Sequence, residues 1–386
     1  MEIKKSYTVK QYSKAGVYKG VIEDVSNYSF SSVINGGLGQ LTLSIPRPFD
    51  DYGDIQLFDR IEIWVQDKDT TGTTGVKIYS GYIDTIDAEL NSGNQNVVIT
   101  VLGYVARLSY TLDMTGTTVK MDRLAQDPAV SVKDIIDKYR ATVTNEEINY
   151  TASSVETAGF NISYSSSMKM CFEVIEKFRI MTGSNWWWFV DATNTFYFKS
   201  KPSTPTHKFK LGTDISDIKI TKRVGNMVNN LLFWNGLQPD DTNYLAKLYN
   251  SPASVALYWE KFDRLTDGRV TDPNYALKLG NATVDAMNAP SVELSFVVKD
   301  NNYSSTGYDI ESIQPGQTCK IMNIKDSNVY SGNLLITRTD YTPEGIRVYV
   351  ESSNEITGRN LSDIRTELDN TIYGDGITTI TSVSTD

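Results

Sequence analysis

The chain has 386 residues, of which 47 are acidic and 37 basic, so its formal net charge is −10. This length allows roughly two to four domains with ample buried core, and the acidic balance excludes gripping nucleic acid through a basic surface. Two cysteines, Cys171 and Cys319, do not make a secreted disulfide framework or a zinc site. No apolar run is long enough to span a membrane. The N-terminus lacks the apolar core of a signal peptide, which predicts synthesis in a cytoplasm.

Residues 1–113 are predicted to form a first β-barrel, because nearly all of them have the character of strands. The segment QLTLSI (40–45) alternates apolar and polar residues before Pro46 ends it. Asn35, Gly36 and Gly37 tolerate a positive φ and therefore predict a tight connection. Short strands joined by Gly and Asn turns are typical of barrels and sandwiches.

One part of this segment is repeated near the end of the chain. RIEIWV (60–65), KIYSGYIDTIDAEL (77–90) and NQNVVITVLGY (94–104) correspond to TCKIMNI (318–324), NVYSGNLLITRTDY (328–341) and GIRVYVESS (345–353). The tripeptide Tyr79-Ser80-Gly81 is aligned with Tyr330-Ser331-Gly332. Any two β-meanders share some likeness, but the matched order of three strands favours an internal duplication of a small barrel.

Residues 114–206 are predicted to form an α+β subdomain. Ser131 is the expected N-cap of one helix, and a second helix is expected to start near Ser166 and to end at Gly183. The aromatic run at 186–190 and TFYF (195–198) predict a β-hairpin with a turn at 191–194. A linker at 201–206 closes the subdomain.

The remaining chain predicts a second barrel that is split by an insert. Residues 207–236 and 291–353 have strand patterns, whereas residues 237–290 predict a helical insert with helices beginning at Pro252 and Pro273. Residues 354–386 form a tail, in which Leu361, Ile364 and Leu368 are spaced for a short helix. The fold class is therefore mainly β with α+β parts: two related β-barrel domains and two smaller α+β or helical subdomains.

The sequence offers little for catalysis or metal binding. His207 is the only histidine, which removes a Ser-His-Asp triad and most His-based acid–base chemistry, and we expect it to be structural. Cys171 and Cys319 are placed on apolar faces and are interpreted as core residues. Paired loop carboxylates could serve a glycosidase, but such acids are usually solvated: Asp50, Asp51, Asp54, Asp240 and Asp241. We predict no enzyme activity, no cofactor and no metal.

Three consecutive tryptophans are the only candidate binding residues. Trp186, Trp187 and Trp188 lie in the predicted hairpin, where Trp186 and Trp188 share one face and Trp187 lies on the other. A sugar-stacking platform is one interpretation. A core or subunit-interface role is the interpretation that we favour.

The strand patterns of residues 40–51, 60–65, 79–83 and 102–104 resemble the N-terminal barrel of phage tail hub proteins. These are the baseplate hubs of contractile tails and the tail-associated proteins of siphophage tail tips. The resemblance extends over roughly residues 1–355 and consists of diffuse strand patterns. Many tail-associated members continue into a long lytic or fibre region, whereas this chain ends about 30 residues after the second barrel. We therefore do not extend lytic activity to it.

The resemblance implies a homotrimeric ring with six barrels, which docks on a hexameric tail tube or distal tail protein. Implied neighbours are the tape measure protein and a spike or fibre protein, and DNA is expected to pass through the ring without specific binding. The implied location is the virion tail, assembled in the host cytoplasm. The alternative hypothesis is a carbohydrate-binding or wall-degrading tail-tip protein that uses the aromatic hairpin and the loop carboxylates.

Overall fold

The computed structural model describes residues 5–351 except 24, 26, 46–53, 68–74, 92–93, 144–147, 183–184, 226, 243, 267–272, 300–308, 323–332 and 344. Within this part the protein is mainly β, as the sequence predicted. The predicted tail helix, Gly183, Asp50, Asp51 and the second Tyr-Ser-Gly lie outside it. Among the described helices, none is long and apolar enough to cross a membrane.

The strands, in chain order, are β1 (Lys5–Tyr12), β2 (Tyr18–Ile22), β3 (Asn27–Val33), β4 (Gly36–Ile45), β5 (Arg60–Asp67), β6 (Val76–Asn91), β7 (Asn94–Gly103), β8 (Lys120–Gln126), β9 (Ile162–Ser167), β10 (Trp186–Val190), β11 (Phe196–Ser200), β12 (His207–Lys210), β13 (Ile215–Arg223), β14 (Asn230–Trp234), β15 (Ala246–Asn250), β16 (Phe262–Thr266), β17 (Ser291–Lys299), β18 (Thr318–Met322), β19 (Leu334–Thr342) and β20 (Gly345–Glu351). The helices are α1 (Pro128–Thr142), α2 (Cys171–Thr182), α3 (Pro252–Leu257) and α4 (Pro273–Met287).

Two arrays of five antiparallel strands dominate the fold. The first has the order β3-β4-β7-β6-β5, and the second has the order β13-β17-β20-β19-β18. Successive side chains alternate between the buried and the exposed face, as the strand pleat requires. Both arrays contribute to one apolar core, whose fully buried members include Leu41, Ile61, Ile83, Phe296, Ile336 and Val348.

The two arrays also share local backbone features. In the first array, Ile83 accepts a hydrogen bond from the amide of Phe58 and donates one to Asp59, both at 2.8 Å. In the second array, Ile336 does the same with Gly316 and Gln317, again at 2.8 Å. Phe58 and Gly316 both adopt a positive φ, of 67° and 87°. Such a shared left-handed turn is costly for phenylalanine, so the match supports a structural repeat.

The structure corrects the alignment of the two Tyr-Ser-Gly tripeptides. Gly81 pairs with Ile61, whereas Cys319, the counterpart of Ile61, pairs with Leu334 and not with Gly332. Both middle strands then carry a β-bulge three residues further on, at Asp84 and at the corresponding Thr337. A shift of two residues keeps every side chain on its own face, which is why the hydrophobic alternation alone did not reveal it.

The arrays join through β19, whose second edge pairs with β3 of the first array. Tyr341 lies opposite Phe30, and the two rings stack with their centroids 4.9 Å apart. In the described residues β3 does not pair with β5, nor β13 with β18, so neither array forms the closed barrel that the sequence predicted. The strands form one open sheet instead, because β19 uses its edge to join the first array.

The α+β unit packs α1 and α2 against the β10–β11 hairpin. Helix α1 begins four residues earlier than predicted, because Asp127 is the N-cap and its carboxylate accepts a hydrogen bond from the amide of Ala129 at 2.8 Å. Ser131 lies inside the helix. Helix α2 begins at Cys171 and not near Ser166, because β9 runs through Ser167 and pairs with β8. The predicted hairpin is confirmed.

The insert is a small α+β unit and not the predicted helical one. Strands β15, β14 and β16 form a separate sheet, which packs on α4. Strand β14, which we expected in the second barrel, pairs only with β15 and β16 among the described strands. Strands β15 and β16 each bury one side chain, so their apolar alternation was too weak to read from the sequence. The domain boundaries themselves stay a prediction.

A buried ion pair ties the α+β unit together, and its removal should destabilise the protein. Arg123 makes two hydrogen bonds of 2.7 Å to Asp113, and both side chains are fully buried. Arg123→Met leaves the Asp113 carboxylate buried without its cation, which should lower the free energy of unfolding by about 3 to 5 kcal/mol. The matched control is Lys120→Met, which removes an exposed ion pair to Asp122 and should cost at most about 1 kcal/mol. Chemical denaturation measures both, and equal effects would contradict the prediction.

A second stability prediction concerns Gly103, at the end of β7. A Cβ atom at this position would lie 1.9 Å from the carbonyl oxygen of Leu38. Gly103→Ala should therefore force the backbone apart and cost about 1 to 3 kcal/mol. Gly225→Ala is the control, since its Cβ would meet no atom within 4 Å. A thermal denaturation profile of Gly103→Ala equal to that of the control would refute the prediction.

Candidate functional site

The histidine and the two cysteines occupy core positions. His207 is buried, its Nε2 lies 2.6 Å from Oε1 of Gln317, and burial lowers its pKa. Cys171 and Cys319 are buried, and burial raises the pKa of each thiol to about 12. No set of three or more His, Cys, Asp and Glu residues in the described chain is placed to hold a metal ion.

Three of the five loop carboxylates, Asp54, Asp240 and Asp241, lie in the part of the chain that the structure describes. Asp241 accepts a hydrogen bond from the amide of Gln238 at 2.8 Å, and it is exposed together with Asp240. Asp54 precedes β5 in the chain, and its backbone carbonyl accepts a hydrogen bond from the side chain of Gln11 at 3.0 Å. The contact of Asp241 is that of a turn, whereas the contact of Asp54 joins its main chain to β1.

A buried acid that the sequence analysis did not single out is Glu62, on β5. It contacts Arg60, Lys77 at 2.8 Å and the indole nitrogen of Trp64 at 2.8 Å. Burial alone would raise the pKa of Glu62, but these hydrogen bonds lower it. Because three donors surround the carboxylate, it is held ionised as part of the β5–β6 packing. Only the three-dimensional pairing brings Lys77 to it.

The three tryptophans lie in the hairpin with the predicted alternation. Trp188 packs against α2, where its indole donates a hydrogen bond to Glu176 at 2.8 Å and its ring meets Phe172 edge-on at 5.2 Å. Trp186 is partly buried on the same side. Trp187 lies on the other side, in a cluster with Phe189 and Leu335. Two of the three indoles are thus buried inside the chain, and no stack of exposed rings forms here.

Another exposed apolar surface lies on the β15-β14-β16 sheet. The face of the β15-β14-β16 sheet that turns away from α4 carries Leu232, Leu248 and Phe262, and all three are exposed. Trp259 precedes β16 and is 94% exposed. Exposed apolar groups of this size are typical of contact surfaces. The sequence analysis missed this face, because its residues are apolar like core residues and only the position of α4 shows which face stays open.

An open groove of about 910 Å³ lies between the first array and the α+β unit. Aromatic and basic side chains line it, among them Phe58, Tyr82, Tyr104, Arg60 and Arg107. Burial raises the pKa of Tyr82 to about 12. Tyrosines remain neutral at such values, and Asp84 also lines the groove, so it offers hydroxyl, carboxylate and cationic groups for contacts.

Substitution of two tryptophans should distinguish a core tryptophan from a surface tryptophan by its effect on stability. Trp188→Ala removes a fully buried ring and its hydrogen bond to Glu176, which should cost about 3 to 5 kcal/mol of folding stability. Trp259→Ala removes an exposed ring and should change stability by less than about 0.5 kcal/mol. Thermal denaturation of both variants tests this. A stable Trp188→Ala protein would mean that the ring is not part of the core.

No protein-family model matches the chain, and no curated protein sequence matches it. Solved structures do share its fold. The 43 kDa tail protein of prophage MuSo2 from Shewanella oneidensis is 9% identical, with a TM-score of 0.61 over 90% of this chain and 98% of that one. A tail protein from Neisseria meningitidis MC58 is 12% identical, with a TM-score of 0.58 over 90% of this chain and 96% of that one.

A third similar structure is the prophage tail protein gp18 from Listeria monocytogenes EGD-e. It is 9% identical, with a TM-score of 0.51 over 95% of this chain and 100% of that one. All three likenesses extend over nearly the whole of both chains, although the sequence identities are only 9 to 12%. The chain therefore has the fold of phage and prophage tail proteins, in agreement with the tail-tip and baseplate resemblance seen in its sequence.

Proposed function

We propose that the protein is the trimeric hub of a phage tail tip or baseplate. In this role it closes the tail tube, connects a three-fold spike or fibre protein to the six-fold tube, and lets DNA pass on ejection. It is a structural protein of the virion tail, assembled in the host cytoplasm, and not an enzyme. Its neighbours are the tail-tube or distal-tail hexamer, the tape measure protein and the spike or fibre protein.

The observation that supports this proposal is the repetition of one five-strand array within a single chain. Three copies of the chain would carry six arrays of the same strand order. A ring of six similar units can present similar contacts to each subunit of a hexamer, while the ring as a whole keeps three-fold symmetry for a spike. The fold likeness to tail proteins supports the same function.

The charge of the chain fits the passage of DNA. Its formal net charge is −10, and an acidic wall repels the phosphate backbone, so DNA would slide past it without sticking. The proposed mechanism is mechanical: the ring holds the tip shut and opens for the tape measure protein and the DNA. No reactive group has a part in it, and the core positions of His207, Cys171 and Cys319 are compatible with such a role.

The alternative is a carbohydrate-binding or wall-degrading tip protein. The burial of Trp187 and Trp188 counts against the sugar platform on which that hypothesis rested. A pull-down with purified host cell wall tests it directly. The hub hypothesis expects the isolated chain to stay in solution, whereas a wall-binding protein should sediment with the wall.

The first prediction of the hub hypothesis is the mass of the purified chain. Light scattering on a sizing column should give about three times the chain mass of 43.2 kDa. A trimer mass that persists on dilution supports a ring. A chain that stays monomeric at high concentration, both alone and with its tail-tube neighbour, would contradict the proposal.

A further inference from the structure

Two edges that have no partner strand among the described residues are counterparts of the two edges that join inside the chain. Within one chain, β19 of the second array pairs with β3 of the first. The counterpart of β19 in the first array is β6, and the counterpart of β3 in the second array is β13. In the described chain, β6 beyond Ile83 pairs with no strand other than β7, and β13 pairs with no strand other than β17, apart from a single bridge between Ile215 and Leu211.

We infer that β6 of one protomer pairs antiparallel with β13 of the next and so closes the ring. This inference rests on the proposed trimer and adds to it the strands and the register that hold it together. The junction inside the chain supplies the template, and the same strand pairing repeated between chains would make all six junctions alike. A head-to-tail contact of this kind closes when the rotation per subunit allows it.

The template fixes the register. Tyr341 pairs with Phe30 in the internal junction. Ala88 is the counterpart of Tyr341, since Asp84 and Thr337 are corresponding bulges. Ile220 is the counterpart of Phe30. Ile220 lies opposite Leu294, and Phe30 lies opposite Leu41. These two leucines occupy the same position relative to the next strand of each array. Ala88 should therefore lie opposite Ile220 of the neighbouring protomer, and Asp87 opposite Thr221.

The exposure of these counterparts points to an absent neighbouring strand. Phe30 is 7% exposed and Tyr341 is 3% exposed, because each covers the other. Ile220, in the position of Phe30, is 42% exposed, and Ala88 is exposed as well. An apolar residue on the core face of an edge strand gains from burial when a strand is added. The asymmetry between the two arrays is accounted for by one absent neighbour.

The charges on the two edges are complementary. Asp84 and Asp87 are exposed on β6, whereas Lys219 and Lys222 are exposed on β13. Charged edges prevent two identical strands from pairing. Here β6 would repel a second β6 and β13 would repel a second β13, but β6 would attract β13. The charge pattern thus selects the head-to-tail contact between copies of this chain.

An engineered disulfide tests the register. Asp87→Cys with Thr221→Cys places two cysteines opposite each other, at the Cα separation of about 4.5 to 5.5 Å found in antiparallel pairs, which a disulfide can bridge. Several strands separate the two positions within one chain, and Cys171 and Cys319 are buried. After mild oxidation of the full-length protein, a denaturing non-reducing gel should show covalent dimers and trimers that disappear on reduction.

The matched control is Asp87→Cys with Lys222→Cys, in which the second cysteine points to the opposite face of β13 and should not cross-link. A trimer by light scattering in which neither pair cross-links would overturn the proposed pairing and leave the hub hypothesis standing. A chain that stays monomeric both alone and with its tail-tube neighbour, and that does not cross-link, would overturn both. Cross-linking of the control as readily as the test pair would show that the register is wrong.

Charge reversal gives an independent test in the same full-length protein. The double variants Asp84→Lys with Asp87→Lys, and Lys219→Glu with Lys222→Glu, should each weaken trimer formation about tenfold or more, because like charges then meet across the junction. The chain with all four changes should recover trimer formation. All four side chains are exposed, and circular dichroism checks the fold. Unchanged association of both double variants, or no recovery in the fourfold variant, would overturn the proposal.

Discussion

The pairing of β19 with β3 is the contact on which the rest of the structure depends. It places Phe30 on Tyr341 and turns two five-strand arrays into one sheet over a shared core. Without it each array would expose an edge and an aromatic ring, which is costly in water. The α+β unit attaches to the same sheet, since Phe189 of β10 pairs with Gly36 of β4.

A repeated array within one chain creates two kinds of junction, of which the chain can satisfy only one. The internal junction uses β3 and β19, and among the described strands the corresponding edges of β13 and of β6 beyond Ile83 have no partner strand. Their exposed charges differ in sign, which keeps single chains from pairing incorrectly while the correct neighbour stays attractive. The proposed ring follows from this incomplete pairing, and the proposed hub function follows from the ring.

Buried charged side chains stabilise the packing of the strands. The buried charges of Arg123, Asp113 and Glu62 are paired and hydrogen-bonded, Arg123 with Asp113 and Glu62 with the partly buried Lys77, as buried charges must be. The aromatic hairpin has the same structural purpose. What remains at the surface is an apolar face on the insert with Trp259 in its vicinity. This distribution is typical of a protein that works through contacts and shape.

The sequence by itself determined the strand-rich character, the hairpin, the starts of α3 and α4, and the existence of a repeat, because these depend on local alternation and on capping residues. The tertiary structure decided the rest. Strand pairing shows that the counterpart of Gly81 is Leu334 and not Gly332. This shift of two residues leaves the alternation of apolar residues unchanged, so the sequence did not reveal it. The same holds for the open sheet: the backbone amides and carbonyls of β19 carry no sequence signal that distinguishes closure of a barrel from pairing with β3, and this choice depends on contacts between residues far apart in the chain.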